Sequence, residues 1–279
     1  MKQGVPAVNR FAALILQAHP AAALKIEPWL RFAHEVSLAP TKVSEPGLGE
    51  IRLKWWSDAA LEALDASAST PRAHPTVEAF HKTVQSANIR PAPGLVRAFV
   101  DAHSLDLASR PYADIEALRA DATARWGNQL RVGLQLLAIT DEVHHHAANH
   151  VGAGFGIMQV LFSARLNAAR GRNVLPDLTA TGLDLNLDLD FEQTAPEDRA
   201  NAGEALCGQA AFHLDRALEL LPDPQTAALP VMRFGLAARA LITAARKAGT
   251  DPLHVPTPET VAQTFALHLL WARLRRRYA

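Results

Sequence analysis

Apolar residues return every three to four positions over most of this chain, the spacing of amphipathic helices rather than strands. The clearest window is 197–220. There Ala205, Leu206, Ala210, Phe212, Leu214, Ala217 and Leu218, with Leu221 just beyond, mark a broad apolar face. Pro196 ahead of it and the acids Glu197 and Asp198 suit a helix start. Pro20, Pro40, Pro71, Pro91, Pro111, Pro176, Pro196 and Pro230 divide the sequence into helix-length pieces. The pattern predicts helices near 8–19, 23–38, 47–66, 75–87, 92–107, 112–138, 141–168, 197–220, 227–248 and 257–277. One stretch differs. Residues 182–191, GLDLNLDLDF, alternate strictly, a strand signal, but no partner strand is visible and a loop or irregular arm is expected. No internal repeat or composition break appears, so the simplest architecture is one all-α domain, an antiparallel helical bundle spanning 1–279.

Composition narrows the partners. With 279 residues a sizeable core is attainable. Lys plus Arg and Asp plus Glu are both 28, which gives no reason to expect nucleic acid. Cys207 is the only cysteine, which excludes an internal disulfide, suits a reducing compartment and reads as a small buried residue rather than a nucleophile. The early run FAALILQ is too short to span a bilayer, and no later stretch reads as long and uncharged enough. The expectation is a cytoplasmic protein, soluble or peripheral to the inner membrane.

Candidate chemistry gathers in 156–176, GIMQVLFSARLNAARGRNVLP. On a helix Gln159, Ser163 and Asn167 share one face, which Gly152 and Gly156 continue. Small and polar residues there line a cavity rather than fill a core. Arg170 and Arg172 flank Gly171, a helix-ending residue, and form a basic rim suited to an anion. Complementing the helix dipole is an adequate structural reason for the same pair. Upstream, His146 and His150 have the i, i+4 spacing that can ligate zinc, with Asp141 or Glu142 as further donors. A solvated helix start explains them more simply, because no Glu follows the first His as in a zinc protease. GAGFG at 152–156 lacks the preceding strand of a nucleotide loop and reads as close helix packing. Trp55 and Trp56 adjoin Arg52 and Lys54, which allows a cation–π contact, but core packing of at least one indole is the expectation. The ending WARLRRRYA reads as a solvated basic terminus able to meet anionic lipid; the first helix with Phe11, Leu14, Ile15 and Leu16 can share that role, but burial in the bundle is the expectation for it.

IMQVLFSARLNAARGRNVLP resembles the second signature of the squalene/phytoene synthase family. That signature carries Asn, Asp and Asp at four-residue spacing, then Arg-Gly-Arg, a variable residue and Tyr-Leu-Pro. Gln159, Ser163 and Asn167 stand at the three metal-motif positions, Arg170, Gly171, Arg172, Leu175 and Pro176 match directly, and Val174 replaces the tyrosine. EVSLAPTKVSEPGLGEIRLKWWSDAALEAL, with His74-Pro75 after it, is similar to the first signature region, in which Glu35 is the one acid left of an Asp-rich cluster. Arg119 and Arg125 stand where members often have tyrosine and glycine. VSEPGLGEIRLKWW and HAANHVG most resemble the branch that includes the mitochondrial complex I assembly factor.

The resemblance implies a class I isoprenoid synthase bundle around a central cavity. Working members join isoprenyl diphosphates with Mg²⁺ held by carboxylates of two facing helices. Serine and asparagine are poor replacements for those ligands. The implied role is therefore non-catalytic, with no cofactor: binding a complex I assembly partner or an isoprenoid or other lipid, through a degenerate cavity and rim of Glu35, Gln159, Ser163, Asn167, Arg170 and Arg172. Two rivals stand beside it. One is an active Mg²⁺-dependent prenyltransferase using relocated acids, Glu35, Glu45, Asp101 and Asp106; the other is an isoprenoid-binding protein without chemistry.

Overall fold

The computed structural model describes residues 9–43, 45–65, 70–87, 89–107, 111–178, 193–274 and 277–279. Among these residues the fold is helical and contains no strand. The alternating stretch 182–191 lies outside them.

Twelve α-helices are described: α1 (Arg10–Gln17), α2 (Pro20–Leu38), α3 (Pro46–Leu64), α4 (Pro75–Ala87), α5 (Pro93–Ala102), α6 (Ile115–Ala122), α7 (Asn128–Leu136), α8 (Glu142–Ala168), α9 (Pro196–Leu220), α10 (Leu229–Met232), α11 (Phe234–Lys247) and α12 (Pro258–Leu274). Proline opens many of them, because its missing N–H is one the first turn leaves unpaired anyway. Asp114 and Asp141 cap α6 and α8 by accepting from the N–H groups of Ala117 and His144.

The long segment expected at 112–138 is interrupted. α6 passes into α7 through a π-helical turn at Thr123–Gly127. Such turns shift the side chains that follow them around the helix. The segment expected at 227–248 is likewise divided, with Arg233 between α10 and α11.

α8 is the central helix, and its most extensive contact is with α9. His150 meets His213, while Gly154 faces Ala210, so the two helices run antiparallel. Small residues let α8 approach its neighbours. A Cβ on Gly152 would lie 2.3 Å from the Gly127 nitrogen, and one on Gly156 would lie 2.6 Å from the Trp126 ring. The GAGFG run is thus a packing surface, and Gly156 also borders the cavity described below. α11 is tied to α9 by ion pairs Arg246–Glu204 at 2.7 Å and Arg239–Asp215.

The first half has an aromatic core. Trp29 stacks on Phe32 at 5.7 Å and meets Phe80 and Phe99 edge-on or tilted. Its indole N–H donates to the Gln129 carbonyl at 2.9 Å, anchoring α2 to α7. Trp56 is buried, and His74 packs on both Trp55 and Trp56. The cation over Trp55 is Arg72, 5.6 Å from the ring, rather than Arg52 or Lys54, because the turn before α4 brings it back over α3.

Two expectations about the C-terminal half need correction. Thr226–Lys247 is long and apolar enough to cross a membrane by length and composition, contrary to the expectation that no later stretch is. Two-thirds of its apolar window is buried inside the fold, as in a core helix. The chain end is not simply solvated either. Tyr278 is buried, and its hydroxyl donates at 2.7 Å to the carbonyls of Ala217 and Leu221, capping the end of α9.

Candidate functional site

A cavity of about 380 Å³ lies between the C-terminal part of α2, the α6–α7 segment and the face of α8 that carries the second signature. Gln159, Ser163, Asn167, Arg170 and Arg172 all line it. The local reason is the helical period together with the turn after α8. Gly171 adopts φ +67°, and the N–H of Arg172 reaches back to the Asn167 carbonyl at 2.9 Å. That turn ends the helix and returns Arg172 over the cavity, where it donates to the Asp106 carbonyl at 3.0 Å. Ser163 and Asn167 turn their donors back onto α8, to the carbonyls of Val160 and Ser163. Leu30, Ala33, Phe99, Trp126 and Phe234 give the cavity an apolar wall.

Glu35 is elsewhere. It pairs with Lys42 at 2.9 Å and does not border the cavity, where its neighbours His34 and Ser37 stand instead. A helix turns about 100° per residue, so one position decides which side chain points inward. Of the other acids considered, Asp101 is solvent-exposed, Glu45 borders an adjoining groove, and Asp106 lines both groove and cavity.

The acid that sequence reasoning missed is Asp121, which is 6% exposed and faces the cavity. It is bound to Arg125 at 2.8 Å and accepts from the Tyr112 hydroxyl at 2.6 Å. Arg125 also reaches Asp106 at 2.7 Å, so a single guanidinium joins both cavity carboxylates. Burial pushes the Asp121 carboxyl up, while Arg125 and Tyr112 draw it back down. Burial opposes the charge on Arg125, but Asp106 and Asp121 more than restore it and hold it firmly protonated. The Tyr112 hydroxyl is pushed up by burial and by the Asp121 charge. Burial lowers His34, and it lowers His103 to about 4, so both rings are neutral at pH 7. The signal in the sequence was the i, i+4 pair Asp121–Arg125, indistinguishable there from an ordinary surface pair.

The histidine motif acquires a third member. His150 and His213 hydrogen-bond through their Nδ1 atoms at 2.9 Å, and His146 packs on His150 with ring centroids 5.2 Å apart. Burial first, then neighbouring positive charge, lowers the pKa of both His150 and His213. None of the three lines the cavity. Among the described residues no group of three His, Cys, Asp or Glu is placed to hold a metal ion. Cys207 is buried and pushed up to about 12 by that burial, which makes it a packing residue at neutral pH.

The squalene/phytoene synthase family model matches residues 9–265. The chain belongs to the squalene/phytoene synthase family. Complex I assembly factor 6 of mouse is 28% identical over 146 residues, 52% of this chain and 42% of that protein; the human counterpart is 27% identical over the same length. This chain thus matches less than half the length of those relatives. Squalene synthase from Alicyclobacillus acidocaldarius superposes with a TM-score of 0.70 at 15% identity, covering 87% of this chain and 95% of the enzyme. A dehydrosqualene synthase solved with a ligand gives 0.65 at 14% identity, covering 94% and 97%. These last two likenesses establish the isoprenoid synthase fold.

The metal that the fold implies does not suit the residues present. Magnesium asks for several hard, charged oxygens in octahedral array. The second-signature face supplies an amide, a hydroxyl and another amide, and the two cavity carboxylates are already joined by Arg125.

Proposed function

We propose that this protein is a non-catalytic member of its family, which binds a lipid or isoprenoid in the cavity and serves in respiratory complex I assembly. The observation that carries the non-catalytic half is the chemistry of the cavity wall. Ionising an allylic diphosphate develops charge on the leaving oxygens, and electrostatic stabilisation of that charge is usually the largest catalytic contribution. Gln159, Ser163 and Asn167 bring no negative charge to hold the neutralising cations. The likeness to the mammalian assembly factors supports the complex I half. The expected outcome with farnesyl or geranylgeranyl diphosphate and magnesium is no product and no released pyrophosphate; turnover above a heat-inactivated control defeats the reading. For the cellular role, deleting the gene in its own host should lower complex I activity in membranes and leave other respiratory enzymes unchanged.

A place at the cytoplasmic face of the inner membrane fits a second feature. α12 exposes Leu267, Leu270 and Trp271 at helical spacing, and Arg273, Arg275, Arg276 and Arg277 follow in sequence. Apolar insertion combined with basic charge favours an anionic bilayer surface, each basic residue adding about 1 kcal/mol. Co-sedimentation with phosphatidylglycerol vesicles but not with phosphatidylcholine vesicles is expected. Binding that survives Leu270→Glu together with Arg277→Glu would remove this helix from the account.

A further inference from the structure

We infer that Arg125 takes the place of a divalent cation in this cavity, so that the site binds an anionic, isoprenoid-like amphiphile directly through arginine and amide donors and without metal. The inference rests on the non-catalytic reading above and specifies the ligand class of the same site.

Three observations carry it. First, Arg125 does what a bridging cation would do. It joins Asp106, from the 3₁₀ turn after α5, to Asp121 on α6, with contacts of 2.7 and 2.8 Å. A guanidinium is a permanent cation whose planar fork fits carboxylates, so it leaves no charge deficit for a metal to fill. Second, this fixed cluster still has binding capacity. Arg125 Nη2, Arg172 Nε and Gln159 Nε2 are all buried, all belong to residues lining the cavity, and all lack a partner within the protein. Buried donors left unmade are costly, and here three of them border one space. They call for a ligand rich in acceptor oxygens. Third, the formal charges select an anion. Arg125, Arg170 and Arg172 contribute three positive charges against the two carboxylates of Asp106 and Asp121, while burial keeps His34 and His103 neutral. The surplus of one positive charge lies beside an apolar wall that includes Leu30, Phe99 and Phe234. An oxygen-rich anionic head on a hydrocarbon tail satisfies both surfaces, whereas a free anion satisfies only one.

Calorimetry on the full chain with geranyl phosphate tests this. The affinity should agree within about twofold in EDTA and in excess magnesium. Geraniol, which lacks the charge, and inorganic phosphate, which lacks the tail, should each bind at least about tenfold more weakly. Arg172→Gln should weaken geranyl phosphate about tenfold or more, the loss of one charge-assisted contact. Arg125→Lys should do likewise, since it keeps the charge but not the fork. Lysine is preferred to a neutral residue at 125 because both carboxylates keep a counter-ion and the fold is spared. An affinity that collapses in EDTA overturns the inference, as does equal binding of geraniol or of inorganic phosphate, wild-type binding by both variants, or no binding of geranyl phosphate at all. Pyrophosphate release from a prenyl diphosphate would instead defeat the non-catalytic reading; the EDTA comparison contains no diphosphate and reports on metal dependence alone.

Discussion

Arg199 illustrates how much one residue can carry. The residue is 5% exposed, and its guanidinium binds Asp251 at 2.8 and 3.0 Å, fixing the start of α9 to the turn after α11. Arg199→Ala removes the guanidinium from a buried carboxylate and leaves it only the Leu253 N–H and the His254 ring; a loss of about 3 kcal/mol is expected in urea denaturation. His103 and His213 set the acid limit. Burial lowers both from 6.5 to about 4, so in that interval the unfolded chain binds more protons than the folded one. Their contribution to stability is therefore complete above about pH 6.5 and is lost as pH falls through about 4. Asp121, shifted up by burial, offsets part of that loss at the acid end. A melting series from pH 7.5 to 4 should show the decline, and His103→Gln should flatten it. In the cavity, Ser163→Asp with Asn167→Asp restores two carboxylates on the inward face of α8. Magnesium-dependent diphosphate binding should rise in that variant, as read by calorimetry. An unchanged isotherm would mean that this face does not govern metal binding.

At the scale of the element, backbone spacing decides what the side chains can do. Gly203 on α9 has the Thr250 carbonyl oxygen 1.8 Å from where a Cβ would stand. Gly203→Ala must therefore separate α9 from the turn after α11, and a loss of about 1–3 kcal/mol or more is expected from thermal unfolding. Gly152 against the backbone of Gly127 is the corresponding contact beneath the cavity. Alanine there pushes α8 off the π-helical turn that presents Arg125, so ligand affinity should fall together with stability. The π-turn could not be foreseen, because RADATARWGNQL carries an uninterrupted helical pattern and only packing against α8 selects the wider turn.

For the molecule as a whole, stability centres on one main core in which Trp29, Phe32, Phe80 and Phe99 join the three helices α2, α4 and α5. Trp29→Ala should cost about 3–5 kcal/mol and lower the melting temperature without a change in helical content per folded molecule. Much of this architecture was legible beforehand, since most helices begin and end within a few residues of their predicted limits. Helical period and proline placement are local properties, and local properties survive translation from sequence to structure. The inward placement of Gln159, Ser163, Asn167, Arg170 and Arg172 was legible for the same reason, being fixed by one helix and its closing turn. Glu35, Asp121 and Arg125 were not. Whether an acid faces a cavity or a lysine depends on the rotation of its helix against neighbours distant in sequence. Sequence alone thus determined an all-helical isoprenoid synthase-like chain whose second signature lacks carboxylates, because residue types and their spacing are written there directly. Only tertiary structure decided that Asp106 and Asp121, 15 positions apart, share one guanidinium, because that pairing exists only once the 3₁₀ turn after α5 and α6 are packed side by side.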